Sequence, residues 1–241
     1  MIRQFNKSPT VCEPQVLVEN KVSFDGPHSQ LSIYDTYQDV ERVKLKSDQP
    51  LFCAMLSGRK IMHYDKSNYH SDFLPHESFV MAPNQGVEID FPEASLQQPT
   101  SCLAIEISNE RIQATAENLN LESPLAVEYG PWQYHENLLH CHHNEQTQVL
   151  LKRMTQIYTE NHQDRNYMID LAVSELTVRL LRQQGREVIL SFCAEQKDHS
   201  GLTAVVNFIN EHLHEPIDND TLCRIACMCR TKFFQEFKQH L

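Results

Sequence analysis

The sequence predicts an α+β fold: a β-rich first part, a helical middle and a terminal helix-turn-helix. Three observations carry this. Eight short apolar stretches recur between turn residues over positions 1–108. Helical spacing replaces that rhythm after Ser108. The final stretch, Gly201 to Leu241, runs as helix, Glu215-Pro216, short helix, tight turn and last helix. A chain of 241 residues is long enough for one large or two modest domains.

The β stretches are VSFDG, LSIYDTY, VERVKL, LFCAML, KIMHYD, SFVMAP, VEIDF and CLAIEI. Breakers separate them, including Asp25-Gly26-Pro27, Ser57-Gly58, Pro83-Asn84-Gln85-Gly86 and Gln97-Gln98-Pro99. Pro75-His76-Glu77 also reads as a turn. Strands at short, regular spacing predict a sandwich or a small barrel. A barrel of this size can hold one small ligand.

Residues 109–190 read as a helical packing or dimerisation region. Ser108-Asn109-Glu110-Arg111-Ile112 has the form of a capped helix start. Residues 121–136 are a connection broken by Pro and Gly. From Asn144 to His162, Val149, Leu150, Met154, Ile157 and Tyr158 fall at helical spacing. A second helix spans Tyr167–Gln184, with Gly185 as its end. Leu171, Ser174, Val178 and Leu181 line one side of it. These helices either cover the β-domain or dimerise. The apolar extent of the second favours dimerisation through those four residues. Residues 191–200 read as a linker.

In the terminal unit, 201–241, Leu202, Val205, Val206, Ile209 and Leu213 form one helical stripe. Asp218 can cap the next helix by accepting backbone N–H bonds. The predicted core of the helix-turn-helix is Leu222, Ile225, Ala226, Met228, Phe233 and Phe237. Arg230, Thr231, Lys232, Gln235 and Lys238 remain outward as candidate DNA contacts. The second helix of such a unit presents its N-terminal residues to base edges. Arg230 and Gln235 suit base edges and Lys238 suits phosphate. The bland alternative is a three-helix bundle with a solvated polar face.

Charge limits the DNA reading. The chain carries 21 Lys and Arg against 32 Asp and Glu, a net charge of −11. Residues 201–241 hold 4 basic and 5 acidic side chains, so that part is close to neutral. Only the last helix has a basic excess, and phosphate binding relies on Lys and Arg.

The terminal segment resembles the first helix-turn-helix of the AraC/XylS family of bacterial transcription regulators. The matching residues are His212, Glu215-Pro216-Ile217, Leu222, Ile225-Ala226, Met228-Cys229, Phe233 and Phe237-Lys238. Residues 51–108 are also similar to that family's N-terminal cupin-like regulatory domain. LFCAMLSGRKIMHYD matches its Gly-Arg-Lys hairpin, and SFVMAPNQGVEIDFPEA the strands that follow. The resemblance implies a cupin-like β-barrel over 1–108 that senses a small-molecule effector. It also implies a homodimer and sequence-specific DNA binding. Cys229 departs from the family's usual Ser. A linker helix and a second helix-turn-helix follow this point in the family. The DNA-binding domain is therefore expected to be truncated and weak by itself.

Two other readings stand beside this one. The first is a regulatory and dimerisation module without autonomous DNA binding; the second is a cupin-type metalloenzyme. Against the enzyme, His63, His70 and His76-Glu77 lack the spacing of metal-binding cupins. The cluster His135, His140, Cys141, His142, His143 and Glu145 matches no closed zinc pattern and reads as a polar loop. Phosphate-cradling Gly loops and nucleophile motifs are missing, so no cofactor is expected. The eight cysteines are scattered, among them Cys12, Cys53, Cys102, Cys141 and Cys193, and read as reduced thiols. A second cluster, Cys223, Cys227 and Cys229, admits thiol sensing or simple packing. No apolar run reaches the roughly 18 residues of a membrane span, and the N-terminus lacks a signal-peptide core. A cytoplasmic protein is expected.

Overall fold

The computed structural model describes residues 14, 16–64, 69–136, 139–195, 200–214 and 216–240. Cys12, Glu215 and residues 196–199 lie outside the described residues, as does the side chain of Cys193. The chain divides into two units, 1–111 with 136–173 and 112–135 with 174–241.

The described residues of the first unit form ten strands. They are β1 (Asn20–Gly26), β2 (Ser29–Thr36), β3 (Val40–Lys46), β4 (Leu51–Ser57) and β5 (Lys60–Tyr64). Next come β6 (Tyr69–Phe73), β7 (Glu77–Met81), β8 (Gly86–Phe91), β9 (Thr100–Ile107) and β10 (Leu139–His142). They form two antiparallel sheets, ordered β1-β2-β9-β4-β7-β10 and β3-β8-β5-β6. All eight expected strands are present. Among the described residues the barrel is not closed: the two sheets are separate and pack around one core, in a cupin-like arrangement. Leu51, Phe79, Met81 and Ala104 from the larger sheet meet Met62, Phe73, Ile89 and Phe91 from the smaller.

Period-2 alternation explains which face each strand buries. In β8, Val87, Ile89 and Phe91 are buried while Gly86 is exposed. The central strand β4 is buried from Leu51 to Met55, as a strand paired on both sides should be. The tight turn from β4 to β5, which carries the chain from one sheet to the other, depends on Gly58, whose φ is +79°. A Cβ there would also lie 2.5 Å from Thr100 Oγ1.

Two strands escaped the sequence reading. β6 (YHSDF) lies at the edge of the smaller sheet and β10 (LHCH) at the edge of the larger. Edge strands have one ladder partner and tolerate polar side chains. The His-rich segment expected as a loop is thus partly strand, with Leu139 opposite Val80 and His142 opposite Glu77.

Helix α2 (Glu145–Thr159) and the start of α3 (Arg165–Glu195) complete this unit. Asn144 caps α2, accepting from Thr147 N at 2.8 Å. The α2 core face is Leu150, Leu151, Met154, Ile157 and Tyr158, whereas Val149 is exposed. Tyr158 Oη lies 2.5 Å from Ser29 Oγ. Arg165 donates to the Asp25 carbonyl at 2.8 Å. Helix α2 therefore covers the β1–β2 hairpin.

The second unit contains most of α1 (Asn109–Glu122), the remainder of α3, and three short helices. These are α4 (Ser200–Glu211), α5 (Asn219–Ile225) and α6 (Arg230–His240). Ser108 Oγ accepts from Arg111 N at 3.2 Å and so caps α1. Residues 123–136 are irregular apart from a 3₁₀ turn at Val127–Tyr129. Gly185 does not end a helix. It is buried within α3, and a Cβ there would meet the Trp132 ring at 2.5 Å. The glycine therefore marks a close ring contact, and the expected linker is helical up to Glu195.

Candidate functional site

The α4–α5–α6 unit is built around a small apolar cluster. Leu202, Val205, Leu222, Cys223, Ala226 and Phe233 are buried, with Ile209, Ile225, Met228 and Phe237 packed against them. Leu213 is not part of the stripe; it lies beyond the end of α4 and is 73% exposed. Gly201 permits the closest approach, because a Cβ there would lie 2.2 Å from the Ala226 carbonyl oxygen. Phe233 packs against Phe237 with ring centroids 5.3 Å apart and the rings tilted by 44°.

Local sequence sets each helix end. Asp218 caps α5, accepting from Asp220 N at 2.9 Å and Thr221 N at 3.1 Å. These bonds, Asp220 N first, hold its carboxyl below the usual carboxylate range. At the other end, Met228 N donates to the Cys223 carbonyl and Cys227 N to the Arg224 carbonyl, both at 3.1 Å. This is a Schellman closure, with Cys227 taking the left-handed position at φ +53°. Helix α6 then begins with Phe233 N donating to the Cys229 carbonyl at 2.9 Å.

On α6, Arg230, Thr231, Lys232, Gln235 and Lys238 are all exposed. Arg230 sits 4.0 Å from Asp220 and over the Phe234 ring at 5.9 Å. Both partners of the ion pair are solvated, so the pair adds little stability. Phe234, which the sequence reading passed over, is 43% exposed on the same helix.

The four residues expected to dimerise differ in access. Leu171 is 50% exposed, Ser174 and Val178 are half-buried, and Leu181 is fully buried within its own chain. Leu181 is therefore a core residue and not a contact on offer to a partner.

Between the two sheets lies a polar group that sequence reasoning missed. Lys60 is 3% exposed, with its Nζ 3.3 Å from Glu19 and 4.9 Å from the Phe91 ring centroid. Burial alone would lower its pKa; nearby Cys102, Glu19 and Cys53 more than offset this and leave it raised. Alternation along β5 was the available signal, since Lys60 shares a face with Met62 and Tyr64. Cys53 and Cys102 lie buried as diagonal neighbours on one face of β4 and β9, and the Cys102 thiol donates to the Leu103 carbonyl at 3.5 Å. The neighbouring Cys53 thiol, then Lys60, pull Cys102 down, and the same pairing pushes Cys53 up.

A second polar cluster pins β10. Glu77 is 6% exposed, accepts from Leu74 N at 2.7 Å and pairs with His140 Nε2 at 3.0 Å, and the exposed His142 Nε2 lies 3.2 Å away. His143 bonds Ser78 Oγ alongside. Burial first, then His76 and His142, push His143 down to about 4, against an opposing effect of Glu77. The unfolded chain takes up this proton near pH 6.5 and the folded chain only near pH 4. Stability therefore rises with pH through that window and is lost on acidification across it. Allowing for the partial exposure of His143, the loss is about 1–2 kcal/mol by pH 4. Urea midpoints at pH 7 and 4.5 are expected to differ, and His143→Gln to narrow the difference.

Elsewhere, His63 Nε2 lies 2.7 Å from Asp90 and its Nδ1 3.0 Å from His70 Nδ1. Among the described residues, no three His, Cys, Asp or Glu side chains are grouped to hold a metal ion. No described helix is long and apolar enough to cross a membrane.

The chain is similar to several proteins of known structure. An apo variant of ToxT from Vibrio cholerae strain SCE256 matches with a TM-score of 0.50 at 9% identity, over 90% of this chain and 77% of that one. ToxT from Vibrio cholerae O395, bound to (E)-4-(8-methylnaphthalen-1-yl)but-3-enoic acid, matches with a TM-score of 0.49. That match has 10% identity and covers 89% and 77% of the two chains. A cupin superfamily protein from Desulfitobacterium hafniense DCB-2 matches 45% of this chain and 95% of its own, with a TM-score of 0.31 and 12% identity. At such identities the ToxT likeness speaks to fold alone. No curated protein sequence matches. The family described as AraC-type transcriptional regulator N-terminus matches residues 27–188, most of the chain. The chain accordingly belongs to the AraC-type transcriptional regulators, a family of regulators and not of enzymes.

Proposed function

We propose that the chain binds operator DNA through α6, senses a small organic effector in its cupin-like unit and works as a homodimer. The observation that carries the DNA reading is α6 itself. Five polar side chains that suit bases and phosphates, Arg230, Thr231, Lys232, Gln235 and Lys238, stand exposed over a core fixed by Phe233. Effector binding would act by favouring one of two arrangements of the dimer. On α3, Leu171, Ser174 and Val178 are the accessible members of the proposed contact. Leu171→Asp is expected to shift the sedimentation of the chain from dimer to monomer.

The test is DNA binding as a function of salt. Each phosphate contact adds about 0.9 to the log–log salt slope. Lys232→Ala and Lys238→Ala are each expected to reduce the slope by about that amount on every sequence. Gln235→Ala should instead cost about 1–3 kcal/mol on the cognate site and little elsewhere. An unchanged slope in both lysine variants would remove α6 from the interface. One observation favours the reading without autonomous DNA binding: the near-neutral charge of residues 201–241. It predicts that the 241-residue chain dimerises and gives no salt-sensitive shift.

A further inference from the structure

Two imidazoles meet on the outer face of the smaller sheet. His63 on β5 and His70 on β6 are directly opposed partners in the ladder. Met62 and Tyr64 turn toward the core, so alternation places His63 on the other face of β5. Its Nδ1 lies 3.0 Å from His70 Nδ1, with ring centroids 4.7 Å apart and the rings tilted by 44°. On the far side of the ring, His63 Nε2 lies 2.7 Å from Asp90 Oδ2. The other oxygen, Asp90 Oδ1, accepts from Arg42 N at 2.8 Å, which holds the carboxylate in place. His63 is buried and His70 exposed, so the pair has one sheltered and one solvated member.

These contacts assign the protons. A carboxylate only accepts, so His63 carries its proton on Nε2 and presents a lone pair at Nδ1. His70 Nδ1 then donates to that lone pair. A ring that donates to a carboxylate through one nitrogen and offers a fixed lone pair at the other has the arrangement of a metal-ligating histidine. The spacing agrees. Two imidazole nitrogens about 2.0–2.1 Å from one ion, at the right angle of tetragonal geometry, lie about 2.9 Å apart. The observed 3.0 Å meets this with little movement of either ring.

We propose that His63 Nδ1 and His70 Nδ1 chelate one late first-row divalent metal ion, of the nickel(II) or copper(II) class, with Asp90 as the positioning residue. Imidazole suits such ions. Among the described residues no third side chain joins the pair. Glu88, the partner of His63 on β8, is engaged by Arg42 at 3.2 Å. The site is therefore an open one, and water fills the remaining positions. On binding, two nitrogen–metal bonds form and two waters leave the hydrated ion. The His70 proton moves from Nδ1 to Nε2 of the same ring, so no proton is lost. The ion clamps β6, an edge strand with β5 as its ladder partner, onto the smaller sheet. It does so on the face turned away from the core between the sheets, so the site stands apart from the proposed effector reading.

Nickel titration followed by NMR of the 241-residue chain tests this. Ni²⁺ is paramagnetic and broadens the signals of nuclei near it. The expected result is joint loss of the His63 and His70 imidazole signals, with broadening of the amides of 61–63 and 70–72. His70→Gln changes an exposed position and should abolish this broadening. His142→Gln removes a competing exposed imidazole on β10 and should leave it unchanged. Asp90→Asn should weaken nickel affinity by about 10-fold, the low end for such a partner because its amide oxygen still accepts. Unchanged affinity in that variant removes Asp90 from the site. Wild-type spectra in which 61–63 and 70–72 stay sharp while signals around His142 broaden overturn the proposal. So does broadening at His63 that persists in His70→Gln. The wild-type titration is decisive even where a variant fails to fold.

Discussion

Glu77→Ala is expected to destabilise the first unit by about 3–5 kcal/mol, the range for removing one partner from a buried polar cluster. Its carboxylate accepts from Leu74 N and pairs with His140 Nε2, with the exposed His142 Nε2 3.2 Å away. Alanine leaves Leu74 N and the largely buried His140 without that acceptor, while the exposed His142 turns to water; each lost bond to a charged acceptor matters more than a neutral one. The loss also falls on β10, an edge strand of four residues with β7 as its sole ladder partner. Glu77→Gln keeps one carbonyl acceptor but turns an N–H toward a donor, so about half the loss is expected. Urea unfolding supplies the measurement, and a cycle with His140→Ala should give a coupling of at least about 1 kcal/mol. A Glu77→Ala midpoint equal to wild type would show that the imidazoles find other acceptors.

The contrast between Glu77 and its neighbours shows what could be read in the sequence. The eight strands were legible as short apolar stretches between turn residues, because a strand that lines a core must be apolar and its ends must turn. Strands β6 and β10 were not legible, since edge positions accept His, Ser and Asp freely. Glu77 follows Pro75-His76, and His76 does adopt a turn conformation at φ +70°. The turn was visible, while the partners of Glu77 lie 63 and 65 residues away and leave no local trace. Lys60 was missed for a different reason. Its alternation was plain, but a charged residue on a buried face is ordinarily excluded by its desolvation cost. Gly185 reads as a helix end because glycine commonly is one, and only the Trp132 ring 53 residues earlier explains its place inside α3. Helix α6 was the most legible part. Its pattern is local, and Phe233 with Phe237 at four-residue spacing fixes which face turns inward.

That same Phe233 carries the second large effect. It is 1% exposed and anchors the cluster shared by α4, α5 and α6. Phe→Ala in such a site removes a ring and leaves a cavity, at a cost of about 3–5 kcal/mol. The short helices around it cannot absorb this. Helix α5 has 7 residues and α6 has 11, lengths at which an isolated helix is marginal in water. The expected outcome is a terminal segment that melts by itself. Amide exchange should rise across 219–240 while the ladders of β2, β4 and β9 remain protected. Phe237→Ala, at a half-buried position, should cost less. If DNA binding runs through α6, Phe233→Ala abolishes it without altering any of the five exposed contact residues. Retained exchange protection in 219–240 together with lost DNA binding would mean instead that the phenyl ring acts at the interface. Retained binding with a melted α6 would place the DNA contact elsewhere in the chain.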